Sequence, residues 1–244
     1  MQARFHVPDL DPDRPQTELP AGEAHHLTRV LRLVPGAEIA VFDGRGTQYR
    51  AEVTVASRDH VLVRLLGPLD APPVPRVSLT LVQSILKPDA MDGVIRDATM
   101  VGVAAIQPVT SERSSLKTAA WPKALDRWRR IAVASAKQCG LARLPDVAGP
   151  VPFDRWLGSG QANGAMLLVE PAAASGAISV RALSRGQAPH AAVLVVGPEG
   201  GWTAGEYESA RTAGCVPLSL GRLTLRAESV PLVAAGALLA VWDE

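Results

Sequence analysis

Apolar positions in the first third of the chain come in short, valine-rich runs at residues 38–42, 48–56 and 60–66, separated by turn signals at Asp43-Gly-Arg-Gly46 and Ser57-Arg-Asp59. Runs of this length, bounded by glycine and aspartate, predict the strands of a small β barrel or sheet. The pattern breaks at Leu69-Asp-Ala-Pro-Pro-Val-Pro75, where three prolines in four residues fit neither a helix interior nor a central strand. Beyond the break, apolar runs at 77–85, 103–109, 165–170 and 191–197 alternate with helical periods at 88–101, 122–139 and 203–213. Alternation of strand and helix predicts an α/β sheet with helices on both faces. The chain is therefore expected to divide into a small β domain at 1–70 and an α/β domain at 76–244. Its last segment, Val230 to Trp242, carries no charge and reads as a buried helix, with Ser229 as a cap and Pro231 tolerated in the first turn. A bilayer span needs roughly 20 residues, so this stretch is too short to cross one. It must instead be covered by its own domain or by a second subunit.

Two apolar runs end in glycine. Val193-Leu-Val-Val-Gly-Pro-Glu-Gly-Gly201 delivers three glycines and a proline around one acid, and Thr203-Ala-Gly-Glu206 behind it fits a capping box that starts a helix. Without a Cβ, Gly197, Gly200 and Gly201 let backbone amides close directly on a ligand. Val216-Pro-Leu-Ser-Leu-Gly221 repeats the strand-into-glycine pattern, and Leu225-Arg-Ala-Glu-Ser229 is a polar island between apolar segments. Two such loops in sequence predict one composite small-molecule pocket, without identifying the molecule.

Composition narrows the class. At 47% hydrophobic and 20% charged, the chain is ordinary globular material. Cys139 and Cys215 are too few for a disulfide framework, and no Cys/His cluster has metal-ligand spacing, so no metal is expected. The first residues lack the apolar run of a secretory signal, which makes the cytoplasm the expected location. The net charge of +1 hides an asymmetry, since residues 1–70 hold 8 basic and 10 acidic side chains. Within 113–143 the imbalance is steep: Arg113, Lys117, Lys123, Arg127, Arg129, Arg130, Lys137 and Arg143 face Asp126 alone. Leu125, Trp128, Ile131, Ala132 and Ser135 share one helical face, which turns Arg127, Arg130 and Lys137 outward. A concentrated positive face attracts a phosphate backbone.

Gly-Pro-Glu-Gly-Gly at 197–201, Leu-Gly at 220–221 and Leu-Arg-x-Glu-Ser at 225–229 resemble the three cofactor loops of the SPOUT methyltransferases. Within that superfamily the chain is most similar to the small-subunit ribosomal RNA uridine N3-methyltransferases. Further matches are His-His-Leu-Thr-Arg-Val-Leu-Arg at 25–32, Pro-Gly at 35–36, Phe-Asp-Gly at 42–44, Ser-Glu-Arg-Ser at 111–114 and Lys-Gln-Cys-Gly at 137–140, in the family's order along the whole chain. The resemblance implies a C-terminal α/β domain with a deep trefoil knot, a small N-terminal PUA-like β barrel, S-adenosylmethionine as cofactor, a homodimer, and small-subunit ribosomal RNA as substrate.

On this resemblance Gly197, Glu199, Gly200, Gly201, Leu220, Gly221, Leu225 and Arg226 are the expected cofactor contacts, Glu199 binding ribose hydroxyls or bracing its loop. Arg226 is the expected stabiliser of charge on the uracil oxygens, with Glu228 orienting it or accepting the proton. His25, His26, Arg29 and Arg32 join Arg113, Arg127, Arg130, Lys137 and Arg143 as expected RNA contacts, whereas Leu27, Val30 and Leu31 read as core. Asp97, Met100 and Leu141 depart from the family pattern, where a Lys/Glu pair and an Arg are common. Two other readings stay open: a knotted methyltransferase acting on ribose 2′-oxygen or on transfer RNA, and an RNA-binding ribosome-assembly protein without turnover.

Overall fold

The computed structural model describes residues 2–57, 60–114, 121–170 and 175–243, arranged as two compact units. One comprises Met1–Val74 together with Val133–Leu144; the other comprises Pro75–Ala132 and Pro145–Glu244.

The first unit is built on a five-stranded sheet. Its elements are β1 (Arg4–His6), β2 (Gln16–Glu18), α1 (Ala21–His25), a π-helical turn (His26–Leu31), β3 (Glu38–Phe42), β4 (Gln48–Ala56) and β5 (Val61–Pro68). Strand order is β1-β3-β4-β5-β2, with β1 parallel to β3 and the remaining pairs antiparallel. Alternate residues of β3, β4 and β5, such as Ile39, Val53 and Val63, bury one face around Phe5 and Leu27. Residues 133–144, on the far side of the proline boundary, belong to this unit because Ala136 and Ala142 close over the buried Phe42 ring.

Two expectations fail in this unit. Leu27 is core, but Val30 is 61% and Leu31 41% exposed. The π-helical turn, with its i→i+5 bonding, breaks the 3.6-residue spacing that would have aligned the three on one face. Lys137 does not face solvent either. Its Nζ lies 2.7 Å from Glu23 Oε2, with the two side chains only 17% and 15% exposed, and 5.2 Å above the Phe5 ring. The surface around residue 137 is covered by the unit's own α1 and β1, so the cation is held by a partly buried ion pair.

The second unit starts with β6 (Ser78–Ser84), α2 (Pro88–Val101), β7 (Ala105–Thr110) and α3 (Trp121–Cys139), whose last turns join the first unit. Then come β8 (Asp146–Val147), β9 (Val151–Pro152), α4 (Phe153–Leu157), β10 (Met166–Leu168), β11 (Ile178–Ser179) and α5 (Val180–Leu183). It closes with β12 (Ala191–Val196), α6 (Ala204–Thr212), β13 (Val216–Ser219) and α7 (Val230–Trp242). The eight strands are parallel, in the order β11-β13-β10-β12-β6-β7-β8, with β9 also on β7. Successive strand residues sort to opposite faces. Leu81, Leu194 and Val196 pack with side chains of α2, α3 and α7, while Val82 and Val195 pack with Phe153 and Trp156 of α4 and Ala210 of α6. Helices therefore cover both faces, as the alternation predicts.

Trp128 and Ala132 of α3 are buried on the predicted face, and Ser135 is buried with them. The uncharged helix α7 is covered on one side only. Ala234, Ala235 and Leu238 are fully buried, but Leu232 is 38% and Val233 44% exposed. Pro231 stands in its first turn, while Ser229 occupies the cap position without a side-chain bond, its backbone already helical at φ −86° and ψ −23°.

Candidate active site

Parallel strands carry their carboxyl ends to one edge of the sheet, where α/β folds place ligands. Here β10, β12 and β13 deliver Leu168, Val196 and Leu220 to the wall of a cavity of about 510 Å³. That volume suits a nucleoside-sized ligand. Gly197, Glu199, Gly200, Gly201, Leu220, Gly221 and Leu225 all line it, so the two glycine loops do form one composite pocket.

The first loop is held by its neighbours. Thr203 and Glu206 make the predicted capping box, Thr203 N–H donating to Glu206 Oε2 at 2.9 Å and Glu206 N–H donating to Thr203 Oγ1 at 3.2 Å. The other oxygen of Glu206 accepts the Glu112 N–H at 2.8 Å, and the Arg113 guanidinium donates to the Gly200 carbonyl. Glu199 Oε1 accepts the Lys87 N–H at 3.0 Å, so this carboxylate braces the loop against the start of α2. Trp202 stacks on Phe153 at 4.5 Å and donates its indole N–H to the Leu168 carbonyl at 3.2 Å. In the second loop Gly221 takes φ 142°, and a Cβ there would meet no protein atom within 4 Å. The backbone of that loop stands open to the cavity.

Arg226 and Glu228 do not line the pocket, although Leu225 and Ala227 do. Arg226 is 87% exposed and its Nη1 lies 3.8 Å from Glu228 Oε1. Several lining residues escaped sequence reasoning: Glu170, where the 165–170 run ends, Trp202 and Tyr207 on either side of the capping box, and Arg113, expected among the RNA contacts. The aromatic residues flanking Thr203 were the available signal. Glu170 Oε1 would lie 2.7 Å from a Cβ at Gly201, whose φ of 66° already requires glycine.

The expected RNA contacts fall into different environments. On α3, Arg127 pairs with Asp92 and lies 3.9 Å from Asp89, while Arg130 reaches back to the Asp126 carbonyl at 3.3 Å. Arg143 is exposed, and Lys117 lies outside the described residues. His25, Arg29 and Arg32 are exposed, but His26 turns toward Phe5, with ring centroids 6.2 Å apart, and burial lowers its pKa. Among the departures, Asp97 pairs with Arg96 at 2.9 Å, and Leu141 packs beside Phe42 and Ala142. Burial raises the Cys215 thiol to about 11. Among the described residues no helix is long and apolar enough to cross a membrane, and no three His, Cys, Asp or Glu side chains gather as a metal site.

A loop-walled cavity at the carboxyl edge of a parallel sheet, in a chain that also carries a small β unit, matches a known class. Residues 73–239 match the RNA methyltransferase domain, and residues 19–66 match the RNA methyltransferase PUA domain. The chain is 33% identical to ribosomal RNA small subunit methyltransferase E of Synechocystis, covering 88% of this chain and 70% of that one. The same enzyme of Mycobacterium bovis is 31% identical over 98% of this chain and 93% of its own. A crystal structure of a ribosomal RNA small subunit methyltransferase E from Neisseria gonorrhoeae, bound to S-adenosyl methionine, superposes with a TM-score of 0.89 at 31% identity, covering 99% and 98% of the two chains. The chain belongs to the ribosomal RNA small subunit methyltransferase E family of RNA methyltransferases.

Proposed function

We propose that the protein methylates N3 of a uridine in small-subunit (16S) ribosomal RNA, with S-adenosylmethionine as methyl donor. The observation that carries this reading is the joining of both glycine loops in one cavity in a member of this family. The cavity fits the cofactor: Gly221 exposes bare backbone for the adenosine part, Gly200 and Gly201 line the same wall, Trp202 and Tyr207 supply aromatic surface, and Glu170 and Thr203 supply polar atoms. When bound, the cofactor supplies an electrophilic methyl group on a sulfonium, so the protein's main task is to align the acceptor.

Uridine N3 bears a proton, and its lone pair becomes available as charge spreads onto the flanking carbonyl oxygens. Arg226, at the cavity rim between Leu225 and Ala227, is the cation we assign to those oxygens. Glu228 orients it or takes up the proton. Residues 1–70 form the RNA-docking domain and 76–244 the catalytic domain, whose C-terminal region contains the trefoil knot. Leu232 and Val233, left uncovered on α7, form part of a homodimer interface. The protein works in the cytoplasm on ribosomal RNA or the small subunit.

Transfer of labelled methyl to ribosomal RNA, with the product nucleoside identified by mass spectrometry, tests the reaction. We expect N3-methyluridine. A 2′-O-methyl nucleoside, or methylation of transfer RNA alone, would replace this reading with another methyltransferase specificity, and RNA binding without turnover would replace it with an assembly role. Sedimentation equilibrium tests the dimer, and a mass near 25.7 kDa at micromolar concentration rejects it.

A further inference from the structure

Strand β6 lies inside the sheet of the second unit, between β12 and β7. One of its faces carries Leu79 and Leu81 into the core, and the alternation of a strand places Gln83 on that same face. Gln83 is fully buried there. Its Nε2 donates to the Ser84 carbonyl at 2.8 Å and across to the Gly197 carbonyl at 3.3 Å, while its buried Oε1 meets no donor among the described residues. The two carbonyls decide which end of the amide faces them, because an oxygen in that place would meet only oxygen. A buried acceptor without a donor works against stability, and an aliphatic side chain like that of Leu81 would avoid the cost. Packing of the core therefore does not account for a glutamine at this position.

What the carboxamide reaches is the root of the first glycine loop. Gln83 stands opposite Val196, the last residue of β12, so its amide meets the chain where it leaves the sheet. Gly197 has no Cβ to restrict its ψ, and that torsion swings the following segment over the cavity. The outer part of the loop is tied elsewhere, Glu199 accepting the Lys87 N–H and the Gly200 carbonyl accepting from Arg113. At the root, Trp202 packs so closely that a Cβ on Gly197 would lie 3.1 Å from its ring, and the bond from Gln83 holds the carbonyl. Gly197 lines the cavity and Gln83 does not.

We propose that Gln83 is a positioning residue for the methyl donor: by holding the Gly197 carbonyl it sets the ψ of Gly197 and so forms the 197–201 loop over the cavity before the cofactor arrives. It touches neither the cofactor nor the acceptor base and acts through the backbone it holds. The unpaired Oε1 is the consequence, since both amide hydrogens are turned toward carbonyls. The inference rests on the S-adenosylmethionine reading of the cavity and adds the buried residue that shapes its first loop.

Calorimetric titration of the full-length protein with S-adenosylmethionine tests this, with melting and amide hydrogen exchange of the unliganded protein alongside. Gln83→Met keeps the length of the side chain and removes the donor, so it should melt close to the wild type and bind the cofactor about tenfold more weakly, the loop then being ordered at binding. Exchange of the Gly201 N–H, which donates to the Pro198 carbonyl at 3.0 Å, should quicken in the same variant. Gln83→Glu separates positioning from packing. Burial against two carbonyl oxygens raises the pKa of the introduced acid, and its neutral form has one O–H to donate where the ionised form has none. Its cofactor affinity relative to the wild type should therefore recover several-fold as pH falls from about 8.5 to about 6, with no such recovery in Gln83→Met. Lys87, Glu112, Arg113, Glu170, Glu199 and Glu206, the charged residues around the loop, are common to all three proteins and cancel in the ratio. Melting at both pH values shows that the variants are folded. Lowered melting with wild-type cofactor affinity in Gln83→Met makes the glutamine an ordinary core residue and overturns the proposal. The same pH dependence in the Glu and Met variants overturns it as well. If the wild-type protein binds no S-adenosylmethionine, the reading of the cavity falls, and the role of Gln83 falls with it.

Discussion

Replacing Glu206 tests how the first glycine loop is held. The carboxylate is only 9% exposed and serves two segments at once, accepting Thr203 N–H at 2.9 Å on one oxygen and Glu112 N–H at 2.8 Å on the other. A hydrogen bond to a charged group contributes about 1.5–3 kcal/mol. Glu206→Ala removes both bonds and the box that starts α6, and water can reach part of the vacated site, so a loss of about 3 kcal/mol is expected rather than the full sum. In a chain of this size that corresponds to a melting shift of roughly 6–12 °C. Glu206→Gln keeps one acceptor oxygen and turns its NH2 group toward the other donor, so its loss should fall near or above half of the alanine value. Urea denaturation followed by tryptophan emission measures both, because Trp202 sits in the same loop. Cofactor binding should weaken about tenfold in the alanine variant, since segments 111–114 and 197–203 must then be ordered at binding. A loss below about 1 kcal/mol together with wild-type cofactor affinity would refute the reasoning, because the carboxylate would then be dispensable to the loop.

Gly221→Val should abolish S-adenosylmethionine binding in a folded protein, because the position requires φ 142° and its Cβ direction is empty of protein atoms; wild-type affinity by calorimetry removes this loop from the site. Arg226→Ala should slow methyl transfer by roughly 10²–10³-fold while leaving cofactor affinity within a few-fold; an unchanged single-turnover rate assigns Arg226 to structure. Burial lowers the His6 pKa below its ordinary 6.5, with the Asp43 backbone acting in the opposite direction. A depressed folded-state pKa contributes stability that is complete above about 6.5 and is lost as pH falls through the folded value. Chemical denaturation between pH 7 and pH 5 should therefore show the first unit weakening, with a shallower decline in His6→Gln, and an equal decline in both proteins excludes His6 as the source.

Features written in local sequence were legible in advance. The capping box at Thr203 and Glu206, the strand ends at Gly197 and Gly221, and the apolar face of α3 each depend on neighbours a few residues away, and each stands where the pattern puts it. What the sequence concealed depends on partners far along the chain. Nothing near Lys137 announces Glu23, so a partly buried, paired cation read as a solvent-facing one. The spacing of Leu27, Val30 and Leu31 fits an α-helical face, and only the π winding shows that two of the three leave it. Arg113 read as part of a basic surface because its acceptor, the Gly200 carbonyl, belongs to a loop that reaches it through the sheet. Glu199 had two readings, and its bond to the Lys87 amide shows it bracing the loop.

Residues 133–144 carry a consequence for the order in which the chain matures. They complete the first unit by covering Phe42 and neutralising Glu23, yet they are made some 70 residues after Val74. At about 5–20 residues per second, the N-terminal sheet must wait roughly 4–14 s on the ribosome before its last wall exists. The second unit waits longer, because its central strand β12 pairs along the whole of β6, from Ala191 opposite Ser78 to Val196 opposite Gln83. Neither unit can therefore finish as an independent early product of translation. A nascent chain halted between Val74 and Val133 would carry an uncovered Phe42 and an unpaired Glu23, which makes that window the stage at which the polypeptide most needs protection from aggregation.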